Sequence, residues 1–175
     1  EAHVTGFAAI FADLFKAFGG IDSTLLLWTL GIVALILIVV YRSPVLWIFP
    51  LMSALIAESV AGAVIYVLAK NDILTLDGQS QGILSVLVIG AATDYAMLLI
   101  ARYREELHKH DSRFESMGIA LKGVLEPIIA SGSTVTLGLL VLLLSQLSNN
   151  RSLGPVGAIG IVSAMFTILT LLPSL

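Results

Sequence analysis

The chain has 175 residues, of which 58% are apolar and 12% charged, with a mean hydropathy of +1.01 and a formal net charge of −3. Soluble domains carry about 25% charged residues, so this composition excludes an ordinary water-soluble domain. The near-neutral charge argues against a nucleic-acid or other polyanion partner, and without cysteine there is no disulfide framework to read.

In chain order, residues 1–22 are mixed in character and lack the basic and small-residue pattern of a signal peptide. Ser23 to Tyr41 is uncharged and predicts a first membrane helix over 23–41. A second is expected over 44–69, with Glu58 as its only charged residue, and a third over 79–102, where Asp94 stands alone until Arg102. The charged segment that follows contains ESMGIALKGVLEP, in which Met117, Leu121 and Val124 recur at helical spacing. That spacing predicts an amphipathic helix on the membrane surface over about 112–124; a cytoplasmic extension of the next helix is the alternative. Uncharged blocks over 127–148 and 153–175 predict the fourth and fifth membrane helices.

Each block reaches the roughly 20 residues that a hydrocarbon core requires. Five apolar helices would leave a soluble bundle no polar faces to meet water. The fold class is therefore an all-α membrane protein, a polytopic bundle of five transmembrane helices. Neither end of the chain has a natural boundary, and the functional unit is expected to be longer.

Basic residues near helix ends favour the cytoplasmic side. Arg42 and the group Arg102, Arg104, Lys109, Arg113 and Lys122 fall on one side if every block spans, six of the nine Lys and Arg residues. The cytoplasm is accordingly assigned to that side, and the 70–78 and 148–152 links to the other. His108 and His110 lie on the cytoplasmic side two residues apart, which does not put them on one helix face, so no metal site is expected. No cofactor is expected either.

Two acids inside apolar helices carry the chemistry. Asp94 lies about seven residues before the basic end of its helix, roughly 10 Å deep at 1.5 Å per residue, too far for its short side chain to reach water. An ionised Asp at such depth costs on the order of 3 kcal/mol or more. Gly90 one turn earlier, with Ala91 beside it, allows close helix packing and favours a protein-facing location. Tyr95 offers a hydroxyl to a relay, although adjacent residues point about 100° apart. An acid that changes protonation inside the membrane is what a proton relay requires; helix–helix hydrogen bonding is the plainer alternative. Glu58 is flanked by Ala54, Ala57, Ala61 and Gly62, again a packing pattern, and is a second relay or packing candidate. Ser131, Ser133, Thr134 and Thr136 in ASGSTVTLG can back-bond to their own helix or extend a path to Asp94.

The order of these elements, and above all GQSQGILSVLVIGAATDYAMLLIARYREEL followed by EPIIASGSTVTLGLLVLLL and RSLGPVGAIGIV, resembles the MmpL (mycobacterial membrane protein large) branch of the resistance-nodulation-division (RND) transporters. The likeness covers nearly the whole chain, and its most specific part is the TDY triplet running into ARYREEL. It implies that the five helices are the second to sixth of a six-helix half and that residues 1–22 are the tail of an extracytoplasmic porter domain. It also implies that Asp94 and Tyr95 form a proton relay with a counterpart pair from a second transmembrane half, in a protein of the cytoplasmic membrane. The function so implied is proton-motive-force-driven export of lipidic or other hydrophobic substrates, with membrane lipids and the second half as partners and no catalytic residue. Two other readings compete: an intramembrane aspartyl protease, which needs two acids sharing a proton, and a non-transporting sterol-sensing or scaffold bundle.

Overall fold

The computed structural model describes residues 23–41, 46–72, 74, 78–110 and 112–174. These form five α-helices: α1 (Ser23–Tyr41), α2 (Ile48–Lys70), α3 (Gly78–Glu106), α4 (Arg113–Val141) and α5 (Ser148–Thr170), with short 3-10 turns at Leu142–Leu144 and Leu172–Ser174. There is no strand among the described residues. Helices α2 to α5 are long and apolar enough to cross a membrane, whereas α1 contributes a shorter apolar stretch, Leu27–Tyr41. The expected porter tail lies outside the described residues.

α5 is the axis of the bundle and packs against α2, α3 and α4, while α1 rests on α3. Inward positions are held by Ala54, Ala57, Ala61, Val88, Ile89, Ala92, Ala96, Leu99, Val156, Ile161 and Ala164. Many are alanine because lipid is as apolar as leucine, so helices in a bilayer associate by close backbone approach rather than by hiding large side chains from water. Many large apolar residues point outward. Trp28 is 65% exposed, Tyr66 64%, Leu137 65% and Phe166 67%, a surface suited to hydrocarbon rather than water.

Of the two readings of residues 112–124, α4 matches the extension of the next helix. Residues 112–124 are not a separate surface helix; they are the first turns of one continuous helix that starts at Arg113 and passes through Pro127. Its start is fixed by Ser112, whose hydroxyl accepts from the Glu115 amide at 3.4 Å, the S-x-x-E pattern of a capping box. Its continuity follows from docking: Ser116, Ala120, Val124, Ile128 and Gly132 are buried at every fourth position, one stripe that crosses Pro127 without a break. A proline within a membrane helix is tolerated where neighbouring helices support the backbone. α4 also ends earlier than expected, at Val141, and α5 begins earlier, at Ser148, so the link moves to residues 142–147, with a 3-10 turn over Leu142–Leu144.

α3 extends beyond its apolar block to Glu106, because Arg102, Glu105, Glu106 and Lys109 pair at helical spacing along its end. At the opposite membrane face α2 stops at Asn71, whose side-chain amide donates to the Val67 carbonyl at 2.7 Å. Asp72 then turns the chain with a left-handed φ of 56°.

Candidate functional site

The TDY triplet sits near the middle of α3, and its three side chains separate. Thr93 is 3% exposed, and its hydroxyl donates to the carbonyls of its own helix, Ile89 at 2.8 Å and Gly90 at 2.9 Å. Tyr95 is 8% exposed and belongs to the bundle core. Asp94, between them, is exposed on the outer side of α3, on the same flank as Ile83, Val86, Leu98 and Ala101. Steps of about 100° per residue require this: once Val88, Ile89, Ala92, Ala96 and Leu99 take the inward face, Asp94 must turn away from it.

Among the described residues these five helices thus do not enclose Asp94. Nor do they supply the close approach expected at Gly90, where an added Cβ would meet nothing within 4 Å. Ala91 does pack against the core. Gly90 and Asp94, one turn apart, thus share an open strip of α3 at mid-helix. Eight residues separate Asp94 from Arg102, the first charge at the C-terminal end of α3, about 12 Å at 1.5 Å per residue. A charge at that depth facing lipid would cost about 2.5–3.5 kcal/mol on insertion scales, so the strip is suited to protein or to water.

The other candidates do not join Asp94. Glu58 is half-buried on α2 beside the buried row Ala54, Ala57 and Ala61. Among the described residues Glu58 and Asp94 share no hydrogen bond, so the shared proton of an aspartyl dyad has no counterpart here. Ser131, Ser133 and Thr134 are exposed on α4, and the Thr134 hydroxyl donates to the Ala130 carbonyl at 2.8 Å. Thr136 Oγ1 is buried without a hydrogen-bond partner among the described residues.

Three features of the site's support are not among the sequence candidates. Glycines of α5 form the first. A Cβ at Gly154 would fall 2.6 Å from the Leu139 carbonyl oxygen, and one at Gly160 would fall 2.6 Å from Leu84 Cδ1 and 2.7 Å from Val88 Cγ2. The glycine at every third position in GPVGAIG is the signal that marks this face. On α4, Gly132 likewise leaves room for the Met165 side chain. The second is a buried hydroxyl pair, Ser80 Oγ and Ser152 Oγ at 3.1 Å, tying α3 to α5.

The third is the charge cluster at the end of α3. Glu105 bonds Arg102 at 2.6 Å and Lys109 at 2.7 Å. The Lys109 ammonium, then Arg102, hold the Glu105 carboxyl below the usual range, and Glu105 in turn holds Lys109 above its own. Glu106 next to it is buried.

The MMPL family profile matches the chain over residues 1–175. A membrane protein of Streptomyces coelicolor is 53% identical over 99% of this chain and 25% of its own length. The apo-petrobactin exporter of Bacillus anthracis is 33% identical over 99% of the chain and 23% of its own length. The sulfolipid-1 exporter MmpL8 of Mycobacterium tuberculosis is 31% identical over 99% of the chain and 16% of its own length. The chain thus spans about a quarter or less of the length of these relatives. No solved structure matches it.

Proposed function

The chain belongs to the MMPL family, and we propose that it is part of the proton-translocating transmembrane half of an RND-type exporter in the cytoplasmic membrane. In this reading the proton-motive force drives export of a lipidic or other hydrophobic substrate, Asp94 carries the proton, and Tyr95 orders the surroundings of α3 from the core side. The observation that carries the proposal is the placement of Asp94: a lone carboxyl near the middle of α3 on an open strip of that helix, with no hydrogen-bonding or ionic partner among the described residues. A second transmembrane half seated on that strip would complete its surroundings. Export as the activity is supported by the names of two relatives, and a lipidic substrate by one of them.

A membrane potential of 100 mV contributes about 2.3 kcal/mol per charge carried across, enough for one proton to bias a helix rearrangement more than tenfold. Asp94→Asn keeps the size of the side chain but cannot titrate. In the full-length transporter it is expected to insert at normal abundance and to abolish pH-gradient-driven transport in vesicles. Tyr95→Phe should weaken transport and Glu58→Gln should affect it least. Substantial transport by the Asn variant at wild-type protein levels would refute the role of Asp94.

A further inference from the structure

Glu58 is the only charged residue of α2 before Lys70 and stands near the middle of that helix, ten residues from Ile48 and twelve from Lys70. At 1.5 Å per residue these are about 15 and 18 Å, too far for the side chain to reach water. It has no hydrogen-bonding or ionic partner among the described residues, and no Lys or Arg lies in any of the five apolar stretches. α2 presents three faces: a buried row with Ala57 and Ala61, an exposed flank with Ile56, Val60 and Val64, and a half-covered flank with Leu55, Glu58 and Gly62. An added Cβ at Gly62 meets nothing within 4 Å, so there is room beside the acid.

Helical phase places the half-covered flank beside α1. Viewed from the N-terminal end of α3, successive residues turn clockwise by about 100°. In that sense the surface of α3 passes from Leu84 and Val88, which face Gly160 of α5, to the buried Ala92 and Ala96 on the side left for α2, and then to Arg104, whose charge acts on Tyr41 of α1. α5, α2 and α1 follow one another around α3 in that order. α2 runs the opposite way, so its residues turn anticlockwise in the same view, and the step from Ala57 to Glu58 leads away from α5 and toward α1. Although only residues 42–47 join α1 to α2, the two form no packed interface among the described residues; each rests on α3. Two helices that pack on a third at 8–10 Å, roughly a quarter turn apart, have axes about 11–14 Å from each other. The few ångströms beyond direct packing admit one hydrocarbon chain but not a further helix about 10–12 Å across. An ionised carboxyl in such a slot is costly unless a cation joins it.

We propose that the slot between α1 and α2 binds a slender amphiphile carrying one positive charge, of the alkylammonium class, with its charge at Glu58 and its chain alongside Gly62. As a substrate site the slot rests on the reading of the chain as part of an exporter; as a binding site it does not.

The test uses the full-length transporter in a neutral detergent and reads binding by native mass spectrometry, with dodecylammonium as the probe and dodecanol as its uncharged counterpart. Dodecylammonium is expected to bind at least tenfold more tightly than dodecanol. Glu58→Gln should remove that preference, Glu58→Asp should keep part of it, and Asp94→Asn should leave it unchanged. Equal affinity for the two probes in the wild type, or a preference that survives Glu58→Gln, overturns the proposal. Gly62→Leu narrows the slot without touching the carboxyl, is expected to weaken dodecylammonium binding at least tenfold, and serves if Glu58→Gln fails to accumulate; unchanged binding in it overturns the proposal equally. With an uncharged substrate Glu58→Gln remains the mildest of the transport variants. The relay reading fails separately: if Asp94→Asn still transports while the charge preference depends on Glu58, the slot stands and the proton carrier lies elsewhere.

Discussion

Replacing Gly154 by Ala adds one methyl group, and the structure fixes where it would go. The new Cβ would lie 2.6 Å from the Leu139 carbonyl oxygen and 3.3 Å from Leu142 Cβ. Ordinary carbon–oxygen contacts between helices are about 3.3–3.6 Å, so α4 and α5 would have to part by roughly 0.7–1 Å. The obstacle is backbone and cannot rotate aside. Overpacking of this kind costs about 1–3 kcal/mol, and the gain from Ala over Gly in a helix offsets roughly 1 kcal/mol of it. The net expectation is a loss of up to about 2 kcal/mol. Gly138→Ala in α4 is the matched control: an added Cβ there meets nothing within 4 Å, so only the helix preference acts and stability should rise by up to about 1 kcal/mol. Thermal unfolding of both variants in the same detergent should place Gly154→Ala below wild type and Gly138→Ala at or above it. If Gly154→Ala proves as stable as Gly138→Ala, close approach of α4 and α5 at Leu139 is not what holds them.

The Ser80–Ser152 pair should cost about 0.6–1.7 kcal/mol when either hydroxyl is removed, and the double alanine variant should cost less than the sum of the two, measured as a double-mutant cycle; strict additivity would show that the hydroxyls do not interact. The Glu105 carboxyl is held low by Lys109 and Arg102, so its contribution is complete above the unfolded glutamate value of about 4.3 and is lost as pH falls through its lowered folded value. Lys109 is raised, so its contribution is complete below about 10.4 and lost as pH rises through its folded value. Hydrogen-exchange protection of the turn after α3, corrected for intrinsic rates, should therefore stay level from about pH 5 to 10 and fall on either side of that window; a fall inside the window would show that this pair is not what holds the turn. In the full-length transporter the ranking Asp94→Asn, Tyr95→Phe, Glu58→Gln, from most to least damaging to transport, is to be read in vesicles at matched protein levels, and a Glu58 variant as inactive as the Asp94 one would overturn it.

The sequence by itself determined the membrane character, the number of helices and the acid at the middle of α3, because uncharged runs of about 20 residues have one physical use and a single carboxylate inside one has few. It determined much less about direction. Both flanks of α3 are apolar, so periodicity could not say whether Asp94 or Tyr95 faces the core; that was decided by Ala92, Ala96 and Leu99 packing into the bundle. Likewise Pro127 and the charges before it read as a boundary, and only the stripe from Ser116 to Gly132 against its neighbours shows one unbroken α4. The glycines of α5 are visible as letters, but which of them a methyl group would disturb depends on the facing backbone of Leu139 and the side chains of Leu84 and Val88. Pattern reports which residues avoid water, and in a membrane nearly all of them do. The choice of face is therefore made by fit between helices, which exists only in three dimensions.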